Sequence, residues 1–141
     1  MKRILVWLVA LTVLLMHVAV VAEEMHETKA PEAKYVVIKE LSYSFSITSG
    51  SGNCKGSGRS QRSDTTTTIT VTLQKKTAES TIWANVCSWS DQKNGNSTAR
   101  VSESRPVSQG YDYRIRVICT IKDANGTTLE SVTKYSSAIS Y

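Results

Sequence analysis

Apolar and polar side chains alternate along most of the chain after residue 40. In residues 41–48 every second residue is apolar, and the residues between them are serine or threonine. Residues 66–76 and 111–121 contain the same period of two. This period is typical of a strand with one face against a core and the other in solvent. Because no segment after residue 40 keeps a 3.6-residue period, the pattern predicts an all-β domain.

Turn sequences divide this domain into short strands. Residues 91–96 and 123–126 both contain Asn-Gly, which supplies the positive φ angles of a tight turn. The seven predicted strands are residues 41–48, 53–60, 66–76, 80–90, 97–104, 111–121 and 127–135. Seven short strands separated by turns predict an antiparallel β-sandwich.

The first 22 residues have a different pattern. Lys2 and Arg3 precede an apolar stretch, and the small residues Val20 and Ala22 occupy the −3 and −1 positions of a cleavage site. This arrangement predicts a helical secretory signal peptide over residues 1–22. The alternative is an uncleaved segment that anchors the protein, because the apolar stretch is nearly long enough to cross a bilayer. We expect membrane contact only in that second case.

The next segment, residues 23–39, is rich in charged residues and contains Pro31. We interpret it as a solvated tether or a propeptide in front of a sandwich domain of residues 40–141. Without Lys2 and Arg3 the chain carries 15 basic and 12 acidic residues, a net charge of +3. Such a mild charge on an exported protein does not indicate a nucleic-acid partner.

The residue types needed for common catalytic and metal sites are sparse. After residue 22 the single histidine is His26, which lies in the predicted tether and lacks a rigid scaffold for acid–base work. The three cysteines are 33 and 32 residues apart and include no Cys-x-x-Cys pair, so a zinc site is not expected. Most carboxylates of the domain fall at predicted turns, where they cap loops. We therefore expect no enzymatic activity, no metal and no cofactor.

A glycine-rich segment, residues 49–58, is the first candidate binding feature. Lys55 lies within it, and Arg59 and Arg62 follow, so the segment could contact an anionic surface polymer such as a wall teichoic acid. It lacks the residue order of a phosphate-binding P-loop. The alternative is a strand or loop weakened by glycine.

Two tryptophans are the second candidate. Trp83 and Trp89 are six residues apart on one predicted strand, which places both on the same face. Two exposed indole rings in this phase would form a flat platform for sugars. The alternative is that both rings belong to the core, since the chain contains a single phenylalanine.

Residues 107–117, Val-Ser-Gln-Gly-Tyr-Asp-Tyr-Arg-Ile-Arg-Val, resemble the sixth strand of fibronectin type III domains. The resemblance implies an immunoglobulin-like sandwich in which Tyr113 takes the place of the family's corner tyrosine. We expect Tyr113 to be buried, with its hydroxyl bonded to the backbone of residues 105–108, since a buried phenol needs a partner. The early core tryptophan of that family has no counterpart here.

Residues 41–141 are also similar to a family of small secreted proteins of Gram-positive bacteria. The shared features are residues 70–76, the tryptophan-bearing strand after them, and residues 107–114. These motifs are structural and imply no activity. The sequence thus predicts a secreted, non-enzymatic β-sandwich that binds a cell-wall polymer or a protein partner. A small secreted toxin or bacteriocin-like protein is the alternative.

Three cysteines in an exported chain allow one disulfide and one thiol. In a seven-stranded sandwich the second and sixth strands face each other across the core, and Cys54 and Cys119 have inward phases on these strands. Cys87 lies on the fourth strand, towards the edge of the sixth strand's sheet. This geometry favours a Cys54–Cys119 bridge if the Cα atoms come within about 7 Å. The alternative is three unbridged cysteines packed as small apolar residues.

Overall fold

The computed structural model describes residues 35–141, which form strands and turns with no helix among them. The predicted signal peptide, residues 1–22, and the tether up to residue 34 lie outside the described residues. The strands are β1 (Ile38–Thr48), β2 (Ser51–Ser60), β3 (Thr65–Lys76), β4 (Ala84–Asn94), β5 (Ala99–Pro106), β6 (Asp112–Asp123), β7 (Thr128–Tyr135) and β8 (Ile139–Ser140).

The strands form two antiparallel sheets that pack face to face. The smaller sheet has the order β1-β2-β5, and the larger has the order β4-β3-β6-β7. The short β8 pairs with the start of β6, beyond the end of β7. This confirms the predicted seven-stranded sandwich. The fourth strand pairs with the third instead of joining the first sheet, which distinguishes this order from that of a constant-type immunoglobulin domain.

Most strand boundaries differ from the predicted ones by one or two residues, and the larger differences are at the first and fourth strands. Val37 and Ile38 are buried in the core, so the end of the predicted tether belongs to the sandwich. The fourth strand runs from Ala84 to Asn94 instead of residues 80–90, and Gly95 at φ 65° begins the turn after it. Polar residues continue this strand because they pair with the threonines of β3.

The core is built mainly from the two central strands of the larger sheet. Every second residue of β6 from Tyr113 to Ile121 and of β3 from Ile69 to Leu73 is apolar and faces inward, as the alternation predicted, while the inward Thr65 and Thr67 of β3 are polar. The fully buried apolar side chains of the two strands are Ile69, Val71, Leu73, Ile115, Val117, Cys119 and Ile121. At about 25 cal/mol per Å² of apolar surface, their burial is the main favourable contribution to folding.

The inner face of β2 contributes almost no side-chain volume. Its inward positions include Gly52, Gly56 and Gly58, and the one larger apolar residue among them is Cys54. A Cβ on Gly56 would lie 2.6 Å from Val71 Cγ2. The glycines therefore let the backbone of β2 approach the larger sheet closely.

Candidate functional site

The outer face of the smaller sheet carries a groove lined by serines and two cations. Alternation along β2 turns Lys55 and Ser57 outward, while Cys54 and Gly56 face the core. Pairing with β1 and β5 then places three side chains in each of two rows across the sheet. The rows are Ser44, Lys55 and Ser102, and Ser42, Ser57 and Arg100.

The groove has a volume of about 410 Å³. Its floor consists of short serine side chains, and the longer Lys55 and Arg100 stand diagonally to each other, with Lys55 in the middle of its row and Arg100 at the end of the other row. The Ser42 and Ser57 hydroxyls are bonded to each other at 2.8 Å. The other two serines have no side-chain hydrogen bond to the described residues, so their hydroxyls are available as donors and acceptors.

Lys55 and Arg100 have no carboxylate partner within 4.0 Å among residues 35–141. The position of Arg100 is fixed through its backbone, because its N–H donates to Asp91 Oδ2 of β4 at 2.8 Å. That bond, followed by one from the Lys93 side chain, lowers the pKa of Asp91. The Asp91 charge therefore holds β5 in place from the opposite sheet.

The structure brings one of the three predicted anion contacts into the groove. Lys55 lines it, but Arg59 is paired with Glu40 at 2.5 Å and Arg62 with Asp64 at 2.6 Å. The hydrogen bond from Arg62 lowers the pKa of Asp64. The prediction for Arg59 and Arg62 is thus corrected, because neighbouring carboxylates already neutralise both guanidinium groups.

The sequence pattern alone does not identify Arg100 as a groove residue. It lies 45 positions after Lys55, and the two come together only through the antiparallel register of β2 with β5. A strand alternation shows which face a residue occupies but not which distant residue stands beside it. A cation on a strand with serines at every second position, as in residues 100–104, was the one available signal.

Trp83 and Trp89 lie on opposite faces of the larger sheet, which corrects the predicted platform. Leu73 pairs with Cys87 while Gln74 pairs with Asn85, so β4 contains one additional residue at this point. Such a β-bulge shifts the phase of the preceding residues by one. Trp89 packs against the core. The Trp83 ring lies on the outer face, with its centroid 4.2 Å from Arg114 Cζ.

Tyr113 is 2% exposed, and its hydroxyl bonds to the backbone in front of β6. It donates to Ser108 O at 3.1 Å and accepts from Ser108 N at 3.0 Å. One phenol thus satisfies both backbone groups of one loop residue, which is the geometry of a tyrosine corner. Its role is to shape the loop between β5 and β6.

The described residues contain no disulfide, and their geometry does not bring the predicted Cys54–Cys119 pair together. Both side chains are buried between the sheets, but at different levels. A Cβ on Gly58 would lie 2.7 Å from Cys119 Sγ, so Cys119 faces β2 four residues beyond Cys54. At about 3.3 Å per residue this offset is about 13 Å, and a disulfide needs Cα atoms within about 7 Å.

Within the described part of the chain, no group of three His, Cys, Asp or Glu side chains could hold a metal ion. The same residues include no helix long and apolar enough to cross a membrane. No protein-family model matches the chain, and no match was found among curated proteins or among solved structures.

Proposed function

We propose that this protein is a secreted, non-enzymatic binding module that holds an anionic, phosphate-bearing cell-wall polymer in the groove of its smaller sheet. The observation that carries the proposal is the pair of cations, Lys55 and Arg100, which line a groove of serines without carboxylate partners among the described residues.

The chemistry of the groove suits phosphate oxygens. A guanidinium group donates two parallel hydrogen bonds to a phosphate, and an ammonium group supplies a compact charge. Serine hydroxyls can donate to the remaining phosphate oxygens or bond to the hydroxyls of a sugar or glycerol unit. A ligand with both kinds of group would use the cations and the serines together.

The shape of the groove suits a chain-like ligand. Its rows run across β1, β2 and β5 on the outer face of a sheet, and no element of the described chain covers that face. A polymer can lie across such a surface and contact the cations with successive units. Repeated weak contacts then raise the overall affinity through effective concentration.

The bonds of the carboxylates support a non-enzymatic role. Asp112 is paired with Lys76 at 2.9 Å and accepts from Ser140 at 2.6 Å. Asp91 holds the Arg100 backbone, and Glu130 accepts from three backbone N–H groups. Carboxylates with lowered pKa values and fixed structural partners are poorly suited to act as general acids.

Binding to poly(glycerol phosphate), measured by titration calorimetry, tests this proposal. A neutral dextran of similar length serves as the comparison ligand. We expect binding to the phosphate polymer that weakens as salt is raised, because salt screens exposed charges. The double variant Lys55→Gln/Arg100→Gln should lose about tenfold or more in affinity, which corresponds to about 1.4 kcal/mol.

Lys122→Gln is the matched control, because it removes one positive charge from the outer face of the other sheet. It should leave the affinity almost unchanged. An equal loss from Lys122→Gln would show that net charge, and not the groove, attracts the polymer. Equal binding to dextran, hydrolysis of the polymer, or leakage from membranes exposed to the protein would each contradict the proposal.

A further inference from the structure

The path of β2 over the larger sheet indicates which cysteine lies nearest to Cys54. At Gly58 the nearest atom to a Cβ would be Cys119 Sγ of β6, at 2.7 Å. At Gly56 the nearest atom would be Val71 Cγ2 of β3, at 2.6 Å. From Gly58 to Gly56, β2 therefore passes from above β6 to above β3.

The next inward residue along this path is Cys54. The contact partners on β3 advance from Ile69 near Gly58 to Val71 near Gly56, so the following level is that of Leu73. Leu73 pairs across the larger sheet with Cys87 of β4. The strand order β6-β3-β4 thus leads the diagonal path of β2 towards Cys87.

We propose that Cys54 and Cys87 form a disulfide that joins the smaller sheet to the edge strand of the larger one, and that Cys119 stays a thiol. The glycines of β2 favour this bridge because they let the two sheets approach closely at Gly56 and Gly58, next to Cys54 along the strand. Cys87 is half-buried on an edge strand, so an oxidant reaches it more easily than the fully buried Cys54.

The pKa values of the three thiols agree with the placement of Cys54 beside Cys87. Burial, followed by the neighbouring Cys87, raises the pKa of Cys54 to about 12. Burial also raises the pKa of Cys87, against the opposing charge of Arg105. The Cys119 pKa is raised to about 11 by burial and by Glu130, with no contribution from either other thiol.

The oxidant is a disulfide, either a small molecule or the active-site disulfide of an oxidoreductase. The Cys87 thiol loses its proton, and its sulfur attacks the oxidant to form a mixed disulfide while one oxidant thiol leaves. The Cys54 sulfur then loses its proton and displaces the second oxidant thiol. Two protein thiols become one disulfide, and the two electrons reduce the oxidant to two thiols.

Oxidative refolding of the whole chain in a mixture of oxidised and reduced glutathione tests this inference. Refolding gives the oxidant access to every cysteine, and the products are identified by peptide mapping without reduction. We expect one crosslink between the peptides that contain Cys54 and Cys87, with Cys119 alkylated as a free thiol. The variant Cys119→Ala should form the same crosslink in the same yield.

Reduction should lower the denaturant midpoint of unfolding for the wild type and for Cys119→Ala, and leave that of Cys87→Ala unchanged. A crosslink that contains Cys119, or three free thiols after refolding with excess oxidant, would overturn the proposal. The crosslink lies in the core and not in the groove. A failure of polymer binding alone would therefore not contradict the proposed disulfide.

Discussion

At the scale of single residues, the buried Tyr113 hydroxyl has two specific partners, whereas the buried Thr67 hydroxyl has none within residues 35–141. Tyr113 satisfies the N–H and the carbonyl of Ser108 with one hydroxyl. Its ring also packs edge-on against Tyr111, with the centroids 6.2 Å apart. The corner therefore combines apolar burial with two hydrogen bonds, and it sets the direction in which the chain enters β6.

Tyr113→Phe removes the hydroxyl and leaves both Ser108 groups without their partner. A buried donor or acceptor that loses its partner costs about 1–3 kcal/mol, so the free energy of unfolding should fall by that amount. Urea unfolding monitored by fluorescence measures the change. Tyr111→Phe is the matched control, because the structure gives its hydroxyl no hydrogen bond within residues 35–141. A similar loss of unfolding free energy in both variants would show that the bonds to Ser108 do not cause the loss.

At the scale of the elements, threonine-rich β3 is stable because its outward side chains pair with those of β4. The hydroxyls of Thr70 and Thr72 bond to Ser90 and Ser88 at 2.8 and 2.7 Å. Such cross-strand pairs contribute about 0.2–1 kcal/mol each relative to alanine. The high serine and threonine content therefore stabilises the sheets while it keeps the outer faces polar.

In β2 close backbone packing replaces side-chain contacts, because most residues of its inner face are glycine. Gly56→Ala would place a Cβ 2.6 Å from Val71 Cγ2 and 3.4 Å from Val117 Cγ1. Overpacking of this kind costs about 1–3 kcal/mol, and thermal unfolding should show a lower midpoint.

A double-mutant cycle separates this clash from other effects of the substitution. Val71→Ala removes the contacting methyl group, so Gly56→Ala should cost clearly less in the Val71→Ala background than in the wild type. Equal costs in both backgrounds would indicate that the sheets are not held close at Gly56. The outward-facing Ser57→Ala serves as a control on the same strand and should cost less, because it loses only the bond to Ser42, about 0.2–1 kcal/mol for a cross-strand pair.

The sequence predicted the elements well where one strand alone determines the pattern. The alternation in β3 and β6 correctly indicated their buried faces, and seven strands with Asn-Gly turns indicated a sandwich. The bulge at Val86 was not predictable, because the extra residue appears only when β4 pairs with β3. That single residue moved Trp83 to the face opposite Trp89.

The sequence predicted only part of the candidate site, because the pairing of distant strands cannot be read from local patterns. The position of Lys55 on an outward face follows from the alternation of β2, but its neighbour Arg100 depends on a pairing between distant strands. Cys54 and Cys119 both face inward, as expected from their phases. Their different positions along the strand direction depend on how the two sheets cross. Local patterns thus determine faces where no bulge intervenes, and long-range packing determines neighbours.

At the scale of the whole molecule, carboxylates connect the two sheets at both open edges of the sandwich. Asp91 of β4 accepts from the backbone of β5 at one edge. At the other edge Glu130 of β7 accepts from the N–H groups of Val36, Val37 and Ile38, at 3.1, 2.8 and 2.8 Å. Glu130 therefore fixes the start of β1 to the opposite sheet.

Three backbone donors on one carboxylate make the stability of this edge dependent on pH. Burial acts to raise the pKa of Glu130, but the bonds from Ile38, Val37 and Val36 outweigh it, and the net pKa lies below its ordinary value of 4.5. A carboxyl whose pKa is lower in the folded chain stabilises the fold above its unfolded pKa. This stabilisation is lost as the pH falls from about 4.5 through the folded pKa.

Glu130→Gln should therefore reduce the free energy of unfolding at pH 7 by about 1.5–3 kcal/mol, as expected for hydrogen bonds to a charged group. Urea unfolding of wild type and variant between pH 7 and pH 3 measures this difference, which should shrink once the pH falls below about 4.5. The lowered pKa values of Asp64, Asp91 and Asp112 affect both proteins equally and cancel in the comparison.

Glu103→Gln is the control, because this exposed carboxylate of β5 has no side-chain bond to the described residues and its loss should change stability little. A difference between Glu130→Gln and the wild type that stays constant down to pH 3 would show that the charge of Glu130 does not hold the β1 edge.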